Sequence, residues 1–316
     1  MILFELVGDQ LGPLGWSFYH FLWQGTLVAA LYCLACLLCG DNPRRRYALA
    51  CLFLVLAIVL PAWQVWMILV RHYGVSLGIG PPESLLPWMS MAALLWLCVA
   101  VGLSAFSLRR AAALKRQWLS GAVDDPRWRE IVQSVAAQIG PKSAPRVVRS
   151  AAADVMAVIG WRHPTIVIPE EMPRYLKNEQ LRALLAHELA HVTRYDPLLN
   201  LMLSVLESFV FFHPAAAWLA GEARKLREYC CDDVAVQVSG DAIIYARGLT
   251  ALARMPGLRT RTTLCANGGD LKARVLRLVA KRNLAHAFLS DARRFTFWMA
   301  SAAAVVVISK IVCRLM

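Results

Sequence analysis

Four stretches of this chain are too long and too apolar to be left in water. A membrane span needs about 20 mostly apolar residues in a row. Residues 17–39 ("SFYHFLWQGTLVAALYCLACLLC"), 47–70 ("YALACLFLVLAIVLPAWQVWMILV"), 86–107 ("LPWMSMAALLWLCVAVGLSAFS") and 295–313 ("FTFWMASAAAVVVISKIVC") all qualify. The last carries Lys310 near its end, where the ammonium must reach back to the interface. Composition agrees, because only 17% of the chain is charged, against about a quarter in soluble domains.

The net charge is +13, a value compatible with nucleic acid. The positions of the cations argue otherwise. Arg44, Arg45 and Arg46, then Arg109, Arg110, Lys115 and Arg116, then Arg293 and Arg294, all sit beside apolar runs. That is the pattern of cytoplasmic flanks. The expected partner is the lipid bilayer, with no direct nucleic acid. Residues 1–16 contain Glu5 and Asp9 and no Lys or Arg, so they are expected outside, with no basic region for a cleavable signal. The turn at 40–46 is expected inside, the 71–85 loop outside, and the region after Leu108 inside. This gives a membrane domain over 1–108, a polar cytoplasmic domain over 109–292, and a fourth span with a short stub over 293–316.

One apolar run, 197–221, interrupts the polar domain. As a fifth span it would put Glu228 across the membrane from His187, so an interfacial or domain-buried helix is expected. The nine cysteines do not form a disulfide framework in this reading. Six lie in or beside apolar runs, and Cys230, Cys231 and Cys265 fall in the part assigned to the reducing cytosol.

Within the polar domain, Ile131, Val132, Val135 and Ile139 share one face of a helix over 126–139. Strands are expected within 145–150, 154–160 and 163–170, which are rich in Val, Ile and Thr. A helix capped by Asn178 runs to Pro197 with Leu181, Leu184, Leu185 and Leu189 as its apolar stripe. Further helices are expected over about 218–238, 241–254 and 270–283, with a loop over 256–269.

The helix after Asn178 carries "HELAH" at 187–191. Positions i and i+4 stack on one helix face, so His187 and His191 present two imidazoles to one point, with Glu188 beside them. Two ligands and a general base at this spacing suit zinc hydrolysis. A catalytic zinc keeps three protein ligands and an open position. "REYCCDD" at 227–233 offers Glu228 as the third ligand. Asp232, one turn on, is placed to accept the other N–H of a ligating histidine, His187 in the first instance. Glu207 and Glu222 compete for the third-ligand role but lack an acidic partner four residues on. Cys230 and Cys231 are taken as helix packing. Two histidines on an apolar helix also suit a plain buried core.

The ordered run "GWRHPTIVIPEEM…NEQLRALLAHELAHVTRYDPLLNLM…FVFFHPAAAWL…REYCCDD" resembles the membrane-bound gluzincins of the BlaR/MecR type, the metalloprotease part of β-lactam-sensing receptors. The resemblance implies a multi-pass α-helical membrane protein with an inserted cytoplasmic α+β gluzincin metalloprotease domain in a bacterial inner membrane. It makes His187, His191 and Glu228 ligands of Zn2+ and Glu188 the catalytic base, and it brings His213 of "FFHP" near the site. It implies a protein substrate, a cytoplasmic repressor among the candidates, and self-cleavage before the last span. Residues 281–294 are the exposed basic candidate there, or simply a positive flank. Receptors of that type continue into a penicillin-binding domain. These 316 residues hold neither Ser-x-x-Lys nor Lys-Thr-Gly, so direct acylation by β-lactams is not expected of them. Either a separate sensor protein or a homo-oligomer supplies sensing, or the same protease serves another task.

The expected activity is therefore that of an integral-membrane zinc metalloendopeptidase at the cytoplasmic face. His213 and Tyr229 are candidate oxyanion donors, and the strand at Thr165–Ile168 is either a substrate-pairing edge or an ordinary core strand. The alternatives are a non-proteolytic signalling or assembly protein that retains the fold, and a prenyl-protein-type membrane protease.

Overall fold

The computed structural model describes residues 2–72, 86–140, 145–255 and 268–280. Three long helices open the chain: α1 (Ile2–Leu38), α2 (Pro43–His72) and α3 (Leu86–Leu119). Each contains a segment long and apolar enough to cross a membrane, namely His20–Leu38, Pro43–Gln64 and Pro87–Leu119. Leu38, Trp63 and Trp88 face outward, as side chains in lipid do. The buried positions include Ala29, Ala50, Ala57, Ala93 and Ala100, small residues that let helix backbones approach. In the α1–α2 turn Arg46 folds back, donating from Nε to the Gly40 carbonyl at 2.8 Å and pairing with Asp41. It thereby satisfies a carbonyl just past the end of α1. The expected fourth span, the stretch at 281–294 and most of the loops at 71–85 and 256–269 lie outside the described residues.

The polar part begins with β1 (Val123–Asp124) and α4 (Pro126–Ile139). Asp125 caps α4 by accepting the Arg127 N–H at 3.0 Å, and Gly140 ends it at φ +78°. Then come β2 (Arg146–Ser150), β3 (Ala157–Ile159) and β4 (Thr165–Pro169). The sheet order is β1-β2-β4-β3. β4 runs parallel to β2 with Val148 opposite Val167, and antiparallel to β3 with Val158 opposite Ile166. Ile166 and Ile168 join the main core, whereas Val167 joins Trp118 and Val148 in a second cluster. Successive strand residues point to opposite faces, so β4 is buried on both.

A helical series follows: α5 (Asn178–Thr193), α6 (Asp196–Phe209), α7 (Pro214–Ser239), α8 (Ala242–Arg254) and α9 (Gly268–Ala280). Leu181, Leu184, Leu185 and Leu189 of α5 pack in the main core with Tyr245 and Leu249 of α8. Asn178 proves to be the first helical residue and not the cap. Gln180 reaches back instead, its Oε1 accepting the Lys177 N–H at 3.0 Å.

The apolar run at 197–221 is not one continuous helix. It breaks between Phe209 and Pro214. α6 has 14 residues, about 21 Å at 1.5 Å per residue, short of a hydrocarbon core of about 30 Å.

The described chain divides into two compact units. One holds residues up to Phe106 together with 204–224. The other holds 107–203 and the described residues from 225 to 280. Residues 204–224, which the sequence places inside the polar domain, group with the apolar helices. Aromatic packing explains it. The Phe212 ring lies 5.5 Å from that of Phe18, and the Trp218 ring 5.7 Å from that of Tyr32. Trp96 Nε1–H donates to the Phe209 carbonyl at 2.8 Å.

Candidate metal centre

Within the polar unit, one helical turn separates His187 and His191 on α5. Their Nε2 atoms face each other at 3.1 Å. From α7, Glu228 places Oε2 3.4 Å from His187 Nε2 and Oε1 3.8 Å from His191 Nε2. Ligands about 2.0–2.1 Å from a tetrahedral zinc lie about 3.3 Å apart. The ligand atoms of His187, His191 and Glu228 all fall within 4.8 Å of one another. Both the donor set and its spacing fit that ion.

The far side of each ring is held. His191 Nδ1 lies 2.7 Å from Asp196 Oδ2. Tyr195 makes this possible by turning left-handed at φ 55°, which ends α5 and swings Asp196 back under the ring. A non-glycine residue in that region is uncommon and carries strain. His187 Nδ1 lies 2.9 Å from Tyr245 Oη and 3.2 Å from Asp232 Oδ1. Tyr245 donates its hydroxyl proton to Asp232 Oδ1 at 2.6 Å. Arg274 of α9 donates from Nε to Asp232 Oδ2 at 3.0 Å and from Nη2 to Tyr245 Oη at 2.9 Å. With each Nδ1–H donated to such acceptors, both Nε2 lone pairs are left for a metal.

The electrostatics follow from these contacts. Burial and the Arg274 charge work against a proton on His187, but hydrogen bonds to Asp232 and Glu228 prevail and lift it to about 9. A metal ion held by these residues would stand in for that proton. Asp232 is buried, which opposes ionisation, yet Arg274 and His187 hold its carboxyl well below the usual range. Burial raises Glu188, with the two imidazoles opposing the shift.

Cys230 and Cys231 are buried, in keeping with packing. Cys231 does more, since its thiol points to Asp196 Oδ2 at 3.7 Å. Burial pushes this thiol well above its ordinary value, so it is a neutral donor here. His191, Asp196 and Cys231 also have metal-like spacing, but their polar atoms already hydrogen-bond one another.

Other candidates stand elsewhere. Glu207 pairs with Arg224 in the membrane unit. His213 also belongs to that unit. Its Nε2 lies 3.1 Å from the Leu22 carbonyl, and Nδ1 accepts the Ala216 N–H at 3.4 Å, at the start of α7. The ring is fully enclosed beside Gly25, where an added Cβ would come within 2.5 Å of Nε2. Tyr229 is buried beneath the Arg277 guanidinium, 4.9 Å from the ring centroid, and does not line the cleft.

A cleft of about 980 Å³ opens over the centre. His187, Glu188, His191 and Glu228 form part of its lining, as do Met156, Ala157 and Val158. β3 is the edge strand on this side. The strand at Thr165–Ile168, read from the sequence as either a substrate-pairing edge or an ordinary core strand, is interior, paired on both sides. Asp196, Tyr245 and Arg274 were not legible as site residues in the sequence. Asp196 lies only five residues after His191. Tyr245 and Arg274 are 58 and 87 residues from His187, and no local spacing joins them to it.

The family model described as BlaR1 peptidase M56 matches residues 81–278, more than half of the chain and all of the centre. The regulatory protein BlaR1 of Bacillus licheniformis is 28% identical over 104 residues, 33% of this chain. The match spans 17% of that relative's length. The chain belongs to the BlaR1 peptidase M56 family.

Proposed function

We propose that the protein is an integral-membrane zinc endopeptidase that cuts a protein substrate at the cytoplasmic membrane face, in signalling to a transcriptional repressor. The observation that carries the reading is the convergence of His187 Nε2, His191 Nε2 and the Glu228 carboxylate in one cleft, with Glu188 beside them. These three residues would hold the zinc. When bound, zinc supplies Lewis acidity, polarising a carbonyl oxygen and making water acidic near neutral pH.

The chain's own groups do the rest. Asp196 and the Asp232–Tyr245 pair fix the two imidazoles. Glu188 takes the proton from the attacking water and passes it to the leaving amine. The free edge of β3 lies along the cleft and offers backbone N–H and C=O groups to an extended peptide, as a sheet edge does to an added strand.

The test is zinc content and cleavage of a disordered protein substrate by the detergent-purified chain. Glu188→Gln should retain one zinc and lose cleavage by about 10²-fold or more. Glu228→Ala should lose both. Undiminished cleavage by Glu188→Gln, or unchanged zinc in Glu228→Ala, refutes the assignment.

A further inference from the structure

Asp232 is fully enclosed, and a buried carboxylate needs a counter-charge. That charge comes from α9. The Arg274 side chain is only 13% exposed. Nε and Nη2 take both oxygens of Asp232, at 3.0 and 2.5 Å. Nη2 also reaches Tyr245 Oη, and Nη1 lies 3.4 Å from Glu228 Oε2. One turn along α9, Arg277 binds Asp233 and the Tyr229 carbonyl. Two arginines therefore fasten α9 to α7, but only Arg274 touches the groups behind His187.

We propose that Arg274 is the positioning residue of the metal centre, fixing Asp232 and Tyr245 so that His187 aims Nε2 at the ion. The inference rests on the metal reading above. A bidentate guanidinium sets both the plane and the position of a carboxylate. Asp232 Oδ1 then stays where it and Tyr245 Oη accept from His187 Nδ1–H. Without Arg274 the carboxylate is an uncompensated buried charge, free to turn away from the ring. Lysine keeps the charge but not the fork.

The experiment is zinc affinity by chelator competition on the full chain in detergent, with thermal unfolding measured alongside. Arg274→Met should weaken zinc about tenfold or more, the range for lost outer-shell partners, with Arg274→Lys in between. In an Asp232→Asn background the same change should cost clearly less than in wild type, because the path through Asp232 is already cut and only the contacts to Tyr245 and Glu228 remain. Arg277→Met should lower the unfolding temperature yet bind zinc within about threefold of wild type. A folded Arg274→Met with wild-type affinity overturns the proposal. So does additivity with Asp232→Asn, or an equal loss in Arg277→Met, which would make docking of α9 the whole effect. If Arg274→Met fails to fold, Arg274→Lys carries the same cycle. A wild-type chain that binds no zinc sinks the metal reading itself, a different result from wild-type binding that Arg274 does not influence.

Discussion

Tyr245→Phe removes one oxygen and no packing. The ring stays in the main core and only the hydroxyl goes. That hydroxyl donates to Asp232 Oδ1 at 2.6 Å, accepts from Arg274 at 2.9 Å and faces His187 Nδ1 at 2.9 Å. Asp232 keeps its contacts with Arg274 and His187, so it is not orphaned. The net loss is about one charge-assisted hydrogen bond plus a weakened second, roughly 2 kcal/mol. For a unit of this size that is a fall of about 6 °C in unfolding temperature. His187 also loses one of two acceptors for Nδ1–H, so zinc affinity should fall about threefold to tenfold, the low end for an outer-shell change. The assay is near-ultraviolet circular dichroism on heating, in one detergent, with chelator competition on the same samples. A variant that melts within about 1 °C of wild type and binds zinc equally would falsify the reasoning, because a buried hydroxyl with three polar neighbours cannot be silent.

Asp196→Ala should weaken zinc by about tenfold to a hundredfold, since His191 loses its Nδ1 acceptor. Equal affinity in a competition titration would mean that helix packing alone orients this ring. Ile166→Ala, at the fully buried centre of β4, should cost about 3 kcal/mol through lost burial and a cavity. Thermal unfolding checks it, and the surviving folded fraction should still bind zinc normally.

Much of this architecture is written in local pattern. Leu181, Leu184, Leu185 and Leu189 recur at helical spacing and are the buried face of α5. Asp241 precedes α8 and caps it, accepting the Ile243 N–H at 2.7 Å. Three of the four strands fall within the windows set by Val, Ile and Thr content, and the two-residue β1 lies outside them. Strand order is another matter. Thr165–Ile168 reads equally well as edge or centre, because a short run buried on both faces has the same composition in either place. The grouping of 204–224 with α1 was hidden for a similar reason, as an apolar run says that it is buried and not against what. His213 makes one contact that no local pattern announces, since its Nε2 reaches the Leu22 carbonyl, 191 residues away. The proposed metal ligands could be named from the sequence because helical spacing links His187 to His191 and Glu228 to Asp232. Tyr245 and Arg274 were not, because only the finished packing of α8 and α9 brings them in.

That scatter along the chain has a consequence for biosynthesis. At about 5–20 residues per second, Glu228 is made roughly 2–7 s after His191. Arg274 follows 46 residues later, after a similar interval. Through the first delay the nascent chain displays two imidazoles without their carboxylate. Through the second, α7 cannot bury Asp232 at low cost, because its counter-charge has not yet been made. The centre can therefore mature only after Arg274 has been made, and metal capture becomes a timestamp for the docking of α9.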